Sequence, residues 1–290
     1  MVETAMISGV VRCTGAACSS LVSVNETLEL GGSLDCTNDK CALSVRSGGD
    51  MTATGTISCS GNGEIRTSGK ISVLGTIRCI SALCPLELEG GQIEVGKFGN
   101  VQGGDVIMKS EKIAVQGSIS TTGQGHTEQA GSGKGSRPLS SWTTSYDEWR
   151  VAGSGAGHGG DGADGCYQYS SSYGSKPSGG DSYGSSSEPR TFGSGGGRGC
   201  YYSTSCSSSS QIGVGGSGGG RIYMNASSIE IDSDATISAD GAPGSMRSAT
   251  SSTGYGAGGS GSGGSILLAA CNVSGDGTVS ARGGSSRDGP

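Results

Sequence analysis

A repeat of about 23 residues constrains this chain more than any other feature. Within the first 84 residues, one glycine column and two cysteine columns recur with a common rhythm. The glycine column is spaced by 23, 23 and 20 residues and comprises Gly9, Gly32, Gly55 and Gly75. The first cysteine column keeps that spacing at Cys13, Cys36, Cys59 and Cys79; the second comprises Cys18, Cys41 and Cys84, with Glu64 in its third slot. Columns that share one spacing indicate stacked, similar structural units.

Apolar residues within each repeat fall in doublets separated by one polar residue. This alternation is typical of short strands with one buried face. Each repeat has three doublets, which in the second repeat are Leu34/Cys36, Leu43/Val45 and Met51/Ala53. After the first four repeats, three more follow at 103–123, 219–241 and 263–284, opening on Val106/Met108, Ile222/Met224 and Ile266/Leu268. The sequence therefore contains seven repeats of three short strands.

Three short strands in about 23 residues describe one coil of a parallel β-helix, in which each coil pairs with the next. We therefore predict an all-β fold, a three-sided right-handed parallel β-helix of about seven coils. The right hand is the one that parallel crossover connections prefer. The prediction requires Val11, Leu34, Ile57 and Ile77 to lie in a single file.

Glycine supplies 59 of the 290 residues, and much of it lies where the alternation stops. We expect β-helix coils at 1–123, a Gly/Ser/Tyr-rich insertion at 124–218, and further coils at 219–290 with a short Gly/Ser insertion at 242–262. Both insertions are expected at the same corner. Their composition is typical of disorder. Ordered extended segments packed on the β-helix are the alternative, because glycine permits close backbone approach.

The cysteines predict local disulfides. A C-x4-C spacing at one corner of the coil pairs Cys13 with Cys18, Cys36 with Cys41, and Cys79 with Cys84; Cys200 and Cys206 are candidates for a further loop-closing disulfide. The pairing of Cys59, Cys166, Cys200, Cys206 and Cys271 stays open, and the total of 11 leaves at least one thiol free or paired between chains. A zinc site is disfavoured, because C-x4-C without histidines is poor zinc spacing.

Several features predict secretion. Abundant cysteines fit an oxidising compartment, and three sequons predict N-glycosylation at Asn25, Asn225 and Asn272 on outward positions. The first ten residues lack a basic and apolar leader, so we interpret the sequence as a processed or partial chain. No segment is apolar enough for a membrane span. A net charge of −6 without a basic run argues against nucleic acid as a partner.

The sequence predicts no catalytic, cofactor-binding or metal-binding residues. Asp232, Asp234 and Glu230 are interpreted as a solvated face, since no column of matching carboxylates adjoins them. His126 and His158 are interpreted as loop residues. The segment 159–167 fits one copy of a calcium-binding β-roll nonapeptide, with Asp164 as the ligand; this is a weak match, because such sites need consecutive copies.

Glycine phrases later in the chain carry a resemblance. GAGHGG (155–160), GGSGGGRI (215–222) and GSGGSI (261–266), together with ISADG (237–241) and VSARGG (279–284), resemble glycine-rich secreted β-helix proteins of protists. These include proteins of heterokont tubular flagellar hairs (mastigonemes) and extracellular coats, with related plant surface proteins. The resemblance covers roughly residues 100–290 and implies glycosylated extracellular architecture with no catalytic residues. Flagellar-hair proteins usually also carry growth-factor-like cysteine modules, which this sequence lacks.

From these observations we expect an extracellular structural protein, a glycosylated building block that self-assembles into a filament, flagellar hair or surface coat. The alternative is a carbohydrate-binding adhesin or a polysaccharide-processing β-helix enzyme. In that reading the insertions form loops over a groove, and the stacking platforms are Tyr167, Tyr169, Tyr201 and Tyr202.

Overall fold

A computed structural model describes residues 4–13, 19–37, 41–138, 150–166, 176–201, 212–245 and 256–285. These residues form strands and extended segments, with no helix among them. The chain divides into two compact units. We call Met1–Thr121, Ile222–Ser238 and Ile266–Ser280 the repeat unit, and Thr122–Arg221, Ala239–Ser265 and Ala281–Pro290 the glycine unit.

The strands are short, as the doublets predict. In chain order they are β1 (Thr4–Ile7), β2 (Val10–Arg12), β3 (Ser19–Val24), β4 (Thr27–Leu30), β5 (Ser33–Cys36), β6 (Ala42–Ser47), β7 (Met51–Ala53), β8 (Thr56–Cys59), β9 (Gly63–Thr67), β10 (Lys70–Val73), β11 (Thr76–Cys79), β12 (Pro85–Glu89), β13 (Gln92–Val95), β14 (Asn100–Gln102), β15 (Asp105–Lys109), β16 (Lys112–Val115), β17 (Ser118–Ser120), β18 (Arg150–Val151), β19 (Gly199–Tyr201), β20 (Ile212–Gly213), β21 (Arg221–Ile231), β22 (Thr236–Ser238), β23 (Ser265–Ser274) and β24 (Thr278–Ser280).

In the repeat unit, each strand from β4 to β17 pairs in parallel with the strand three places before it in the chain. One sheet has eight strands in the order β2-β5-β8-β11-β14-β17-β22-β24, which we call the first ladder. A second sheet of 13 strands contains two such series, β3-β6-β9-β12-β15 and β1-β4-β7-β10-β13-β16, which meet at the long strand β21; β23 pairs with β21. The all-β, parallel and helix-like winding predicted from the repeat is confirmed.

The core follows the predicted file. Val11 pairs with Leu34, Leu34 with Ile57, and Ile57 with Ile77 in the first ladder. Four further residues continue the file: Val101, Ile119, Ile237 and Val279. The residues from Leu34 to Ile237 in this file are buried. Burying each such side chain stabilises the fold by about 1.5–3 kcal/mol.

One strand that the sequence pattern does not predict changes which doublet opens each of the later repeats. The strand β14 has a single apolar residue, Val101, between two glycine-rich turns, and it pairs with β11 in the first ladder. The doublet Val106/Met108 consequently does not open a coil, because its strand pairs with Leu86/Leu88 of β12. Period-two alternation cannot identify a strand that offers only one buried side chain.

The glycine unit is held together by backbone hydrogen bonds between extended segments. Over residues 152–157, successive N–H groups donate in turn to three neighbouring segments, and each neighbour is contacted at every third residue. The Ala152 and Gly155 N–H groups donate to the carbonyls of Cys166 and Ala163, respectively. Gly153 and Ala156 donate to Ala257 and Ser260, and Ser154 and Gly157 donate to Ser136 and Gly133. A period of three is that of the polyproline II helix, whose N–H groups point outward in three directions.

The same period recurs elsewhere in the glycine unit. Three N–H groups at every third residue bond to one antiparallel neighbour: Gly258, Gly261 and Gly264 donate to Ser245, Ala242 and Ala239. Backbones that approach on several sides leave no room for side chains. A Cβ added to Gly196 would overlap the carbonyl group of Gly259. Of the two alternatives for 124–218, the described residues therefore form ordered extended segments.

Candidate functional site

The two C-x4-C staples for which the structure describes both cysteines are formed. Cys36 bonds Cys41 and Cys79 bonds Cys84, with Cα–Cα distances of 5.5 and 5.9 Å. Both separations lie in the range that disulfides normally span. Cys13 is also disulfide-bonded, while Cys18 lies outside the described residues.

For the remaining cysteines, the structure resolves some of the open assignments. Cys206 lies outside the described residues, and Cys200 is placed by its backbone in β19. Cys166 and Cys271 are exposed free thiols, whereas Cys59 is free and buried. Because Cys59 is buried, its thiol can react only with the groups that pack around it.

Cys59 lies between the two stapled turns. In the first ladder it pairs in register with Cys36 on one side and Cys79 on the other. Its Sγ lies within 4.8 Å of the Sγ atoms of Cys79 and Cys84, and we call these three sulfurs the sulfur cluster. Burial raises the pKa of the Cys59 thiol to about 12, because the low-dielectric surroundings disfavour the thiolate.

The prediction that Glu64 takes the slot of the second cysteine is wrong. Glu64 lies in register with Ser44 and Glu87, points outward and forms ion pairs with Arg66 and, at 3.8 Å, with Arg46. Gly63 is in register with Leu43 and Leu86, each of which follows its second cysteine by two residues, so the cysteine slot of this repeat falls on Gly61 and Gly63 carries the inward position of β9. A Cβ at Gly63 would lie 2.8 Å from the Cys59 Sγ. The missing side chain therefore makes room for the Cys59 sulfur.

Outward carboxylates of the repeat unit are paired with cations. Glu87 contacts Lys109 at 2.7 Å and Glu89 contacts Arg66 at 3.1 Å. The hydrogen bond to Glu87 is the main cause that raises the pKa of Lys109. These side chains remain partly exposed, so each pair contributes little stability. They form a series of ion pairs along the surface of the repeat unit.

The acidic group around Asp232 also lies at the surface. Glu230 contacts Lys112 at 3.2 Å, and Asp234 contacts Lys97 at 3.6 Å. All three carboxylate residues of this group are exposed. The arrangement agrees with a solvated face.

His158 is not a simple loop residue, which corrects the sequence interpretation. It is buried, its Nδ1 lies 2.8 Å from the Gly263 carbonyl oxygen, and its Nε2 lies 2.7 Å from the Thr191 Oγ1. Since a carbonyl only accepts, Nδ1 carries the proton and Nε2 accepts from the Thr191 hydroxyl. The ring also packs on Tyr183 with centroids 4.6 Å apart. His158 thus ties together segments that are distant in sequence.

This burial predicts a pH dependence of the glycine unit. Desolvation is the largest effect on His158 and lowers its pKa below the ordinary value of 6.5, outweighing the hydrogen bonds to backbone carbonyls. The unfolded chain therefore binds the proton more readily than the folded one. Stability should be complete above about pH 6.5 and fall as the pH drops below that value.

Thermal unfolding between about pH 7.5 and about pH 5 measures this effect, and His158→Gln should flatten the dependence over that window. His126→Gln serves as the matched variant, because His126 instead makes an edge contact with Phe192 at 6.1 Å. A wild-type profile that His158→Gln leaves unchanged would contradict the assignment.

The remaining predicted sites can be placed individually. Asp164, the calcium candidate, accepts a hydrogen bond at 2.8 Å from the Gly179 backbone N–H, so one of its carboxylate oxygens links two segments of the glycine unit. The three sequon asparagines Asn25, Asn225 and Asn272 are exposed. Tyr201 lies in β19, whereas the other three tyrosines proposed as stacking platforms, Tyr167, Tyr169 and Tyr202, lie outside the described residues.

Among the described residues, no helix is long and apolar enough to span a membrane. The chain matches no protein-family profile, and no curated protein and no solved structure is detectably similar to it.

Proposed function

We propose that this protein is an extracellular structural building block that assembles end to end into a filament, flagellar hair or surface coat. Its repeat unit supplies a stack of parallel strands, and further copies extend that stack. The exposed sequon asparagines suit attached glycans, and the disulfides suit an oxidising exterior. The resemblance to secreted glycine-rich β-helix proteins supports the same role.

One observation carries the proposal: among the described residues, the first and last members of the core file are exposed. Val11 and Val279 are 43% and 46% exposed, whereas their ladder partners Leu34 and Ile237 are 1% and 0% exposed. The terminal strands β2 and β24 each pair on one side only within the described residues. Such strand edges and apolar surfaces favour pairing with another chain. A second copy presents the complementary edge in the same parallel register.

The finer geometry that we propose is a three-sided right-handed β-helix of about seven coils. Its support is the order of the ladders, since consecutive strands pass through three parallel series before returning to the first. In such a winding one end of the repeat unit differs from the other. Assembly between unlike ends does not close on itself, and it therefore generates open filaments.

The test uses one lysine at each end. Wild-type protein should associate with rising concentration in sedimentation velocity and form filaments in electron micrographs. Val11→Lys or Val279→Lys should weaken association at least tenfold, about 1.4 kcal/mol, because each buries a charge in the interface. Phe98→Lys is the control, since Phe98 is 86% exposed on a turn away from the terminal strands.

Mixing the two end variants discriminates further. Each retains one intact end, so an equimolar mixture should form dimers that do not elongate. Wild-type protein that stays monomeric at every concentration, or a mixture that shows no dimer, would overturn end-to-end assembly. Cleavage of acidic or neutral polysaccharides by the purified protein would instead favour an enzyme.

A further inference from the structure

The sulfur cluster holds three cysteines but only one disulfide. Cys59, Cys79 and Cys84 are 1%, 2% and 4% exposed, and their Sγ atoms all lie within 4.8 Å of one another. Cys79 and Cys84 are bonded, and Cys59 is a free thiol. A buried thiol in this position is adjacent to a disulfide that it can attack.

The register of the first ladder also permits a disulfide between Cys59 and Cys79. The two residues are direct neighbours in parallel strands β8 and β11, and such neighbours lie about 4.8 Å apart. This spacing falls inside the Cα–Cα range of about 4.4–6.8 Å that a disulfide spans. Both side chains are buried on the same side of the ladder.

We propose that Cys59, Cys79 and Cys84 form an internal thiol–disulfide exchange site. The Cys59 thiolate attacks the Cys79 sulfur, the Cys59–Cys79 bond forms, and the Cys79–Cys84 bond breaks. Cys84 leaves as a thiolate and takes up the proton that Cys59 released, so no external oxidant or reductant is required. The exchange converts a staple within one turn into a covalent bond between neighbouring strands.

The exchange should be slow at neutral pH and faster in base. Only the thiolate attacks, and the raised thiol pKa of Cys59 keeps that form scarce. The Cys59 thiol donates to the Arg78 backbone carbonyl oxygen at 3.7 Å, and the titratable residues in register with Cys59 on β5 and β11 are Cys36 and Cys79. The charged residues of those two strands, Asp35 and Arg78, are occupied by Arg12 at 3.3 Å and by the Ser58 hydroxyl at 3.0 Å.

Peptide mapping of the whole, non-reduced protein tests the site. Trypsin places Cys59 in peptide 47–66 and both partners in peptide 79–97. Protein is incubated under native conditions, quenched in acid, unfolded, alkylated with a maleimide and digested. Before exchange, peptide 47–66 carries the label. After exchange, peptide 47–66 is linked to peptide 79–97, and the linked product carries one label located at Cys84 by fragmentation.

The linked product should appear about 100-fold faster near pH 9 than near pH 7, because the thiolate fraction rises about tenfold per pH unit below the thiol pKa. Cys59→Ser should abolish it. Cys84→Ser, which frees Cys79, should yield a Cys59–Cys79 disulfide on mild oxidation. A label confined to peptide 47–66 at both pH values, or linkage to the peptide 13–40 that contains Cys36, would overturn the proposal.

Discussion

Gly196→Ala is expected to destabilise the glycine unit by about 3–5 kcal/mol. The added Cβ overlaps the backbone carbonyl of Gly259, which has no side chain that can move aside. Overpacking of this kind costs about 1–3 kcal/mol. Separating the segments also strains the bonds from Gly196 N–H to Gly216 and from Gln129 N–H to Gly196, each worth about 1 kcal/mol. Hydrogen exchange of the Gly196 and Gln129 amides should accelerate by at least about 100-fold.

Gly159→Ala is the matched control for that substitution. A Cβ at Gly159 meets no atom within 4 Å, so alanine should change stability by less than about 1 kcal/mol. Equal effects of the two variants would show that the glycines do not act through close backbone approach. Protection that persists around Gly196 in Gly196→Ala would contradict the bonding pattern itself.

Ile77→Ala is expected to destabilise the repeat unit by about 2–5 kcal/mol. Ile77 is completely buried between Ile57 and Val101 in the core file. Removing its branched side chain loses apolar burial and leaves a cavity that stacked strands cannot easily close. Denaturant unfolding measures the loss of stability. Hydrogen exchange of the amides in β8, β11 and β14 shows whether the loss lies in the strands around Ile77.

The same file supplies a control at its end. Val279 pairs with Ile237 but is 46% exposed, so Val279→Ala should cost less than about 1 kcal/mol in the unassembled protein. A cost for Ile77→Ala that is as small as the cost for Val279→Ala would mean that the file is not the core of the unit. The two variants thus compare a buried and an exposed position of the same core file.

Much of the repeat unit follows from local sequence patterns. The doublets predict strands because a strand with one buried face must alternate, and the common spacing of Val11, Leu34 and Ile57 sets the register of neighbouring strands. The C-x4-C pairs predict their own disulfides, since the two partners are separated by only 5 positions in the sequence. Asn100–Gln102 was missed because one buried valine does not make a pattern.

The glycine unit was open to two interpretations for a physical reason. Glycine has no side chain, so a glycine-rich segment carries no periodicity that distinguishes an ordered bundle from a flexible chain. His158 was misread for a related reason, because its sequence neighbours are glycines while the Gly263 carbonyl that binds it lies 105 residues away. Burial that comes from distant backbone leaves no local signal.

The sequence by itself determined most strands of the repeat unit, the register of Val11, Leu34, Ile57 and Ile77, and the two staples, because period-two alternation and short cysteine loops are local properties. The tertiary structure alone decided the partners of the glycine backbones, the burial of His158 and the meeting of Cys59 with the Cys79–Cys84 bond. These contacts join groups whose proximity depends on how whole segments stack. Backbone hydrogen bonds and the space that a missing Cβ leaves are not encoded in side-chain patterns.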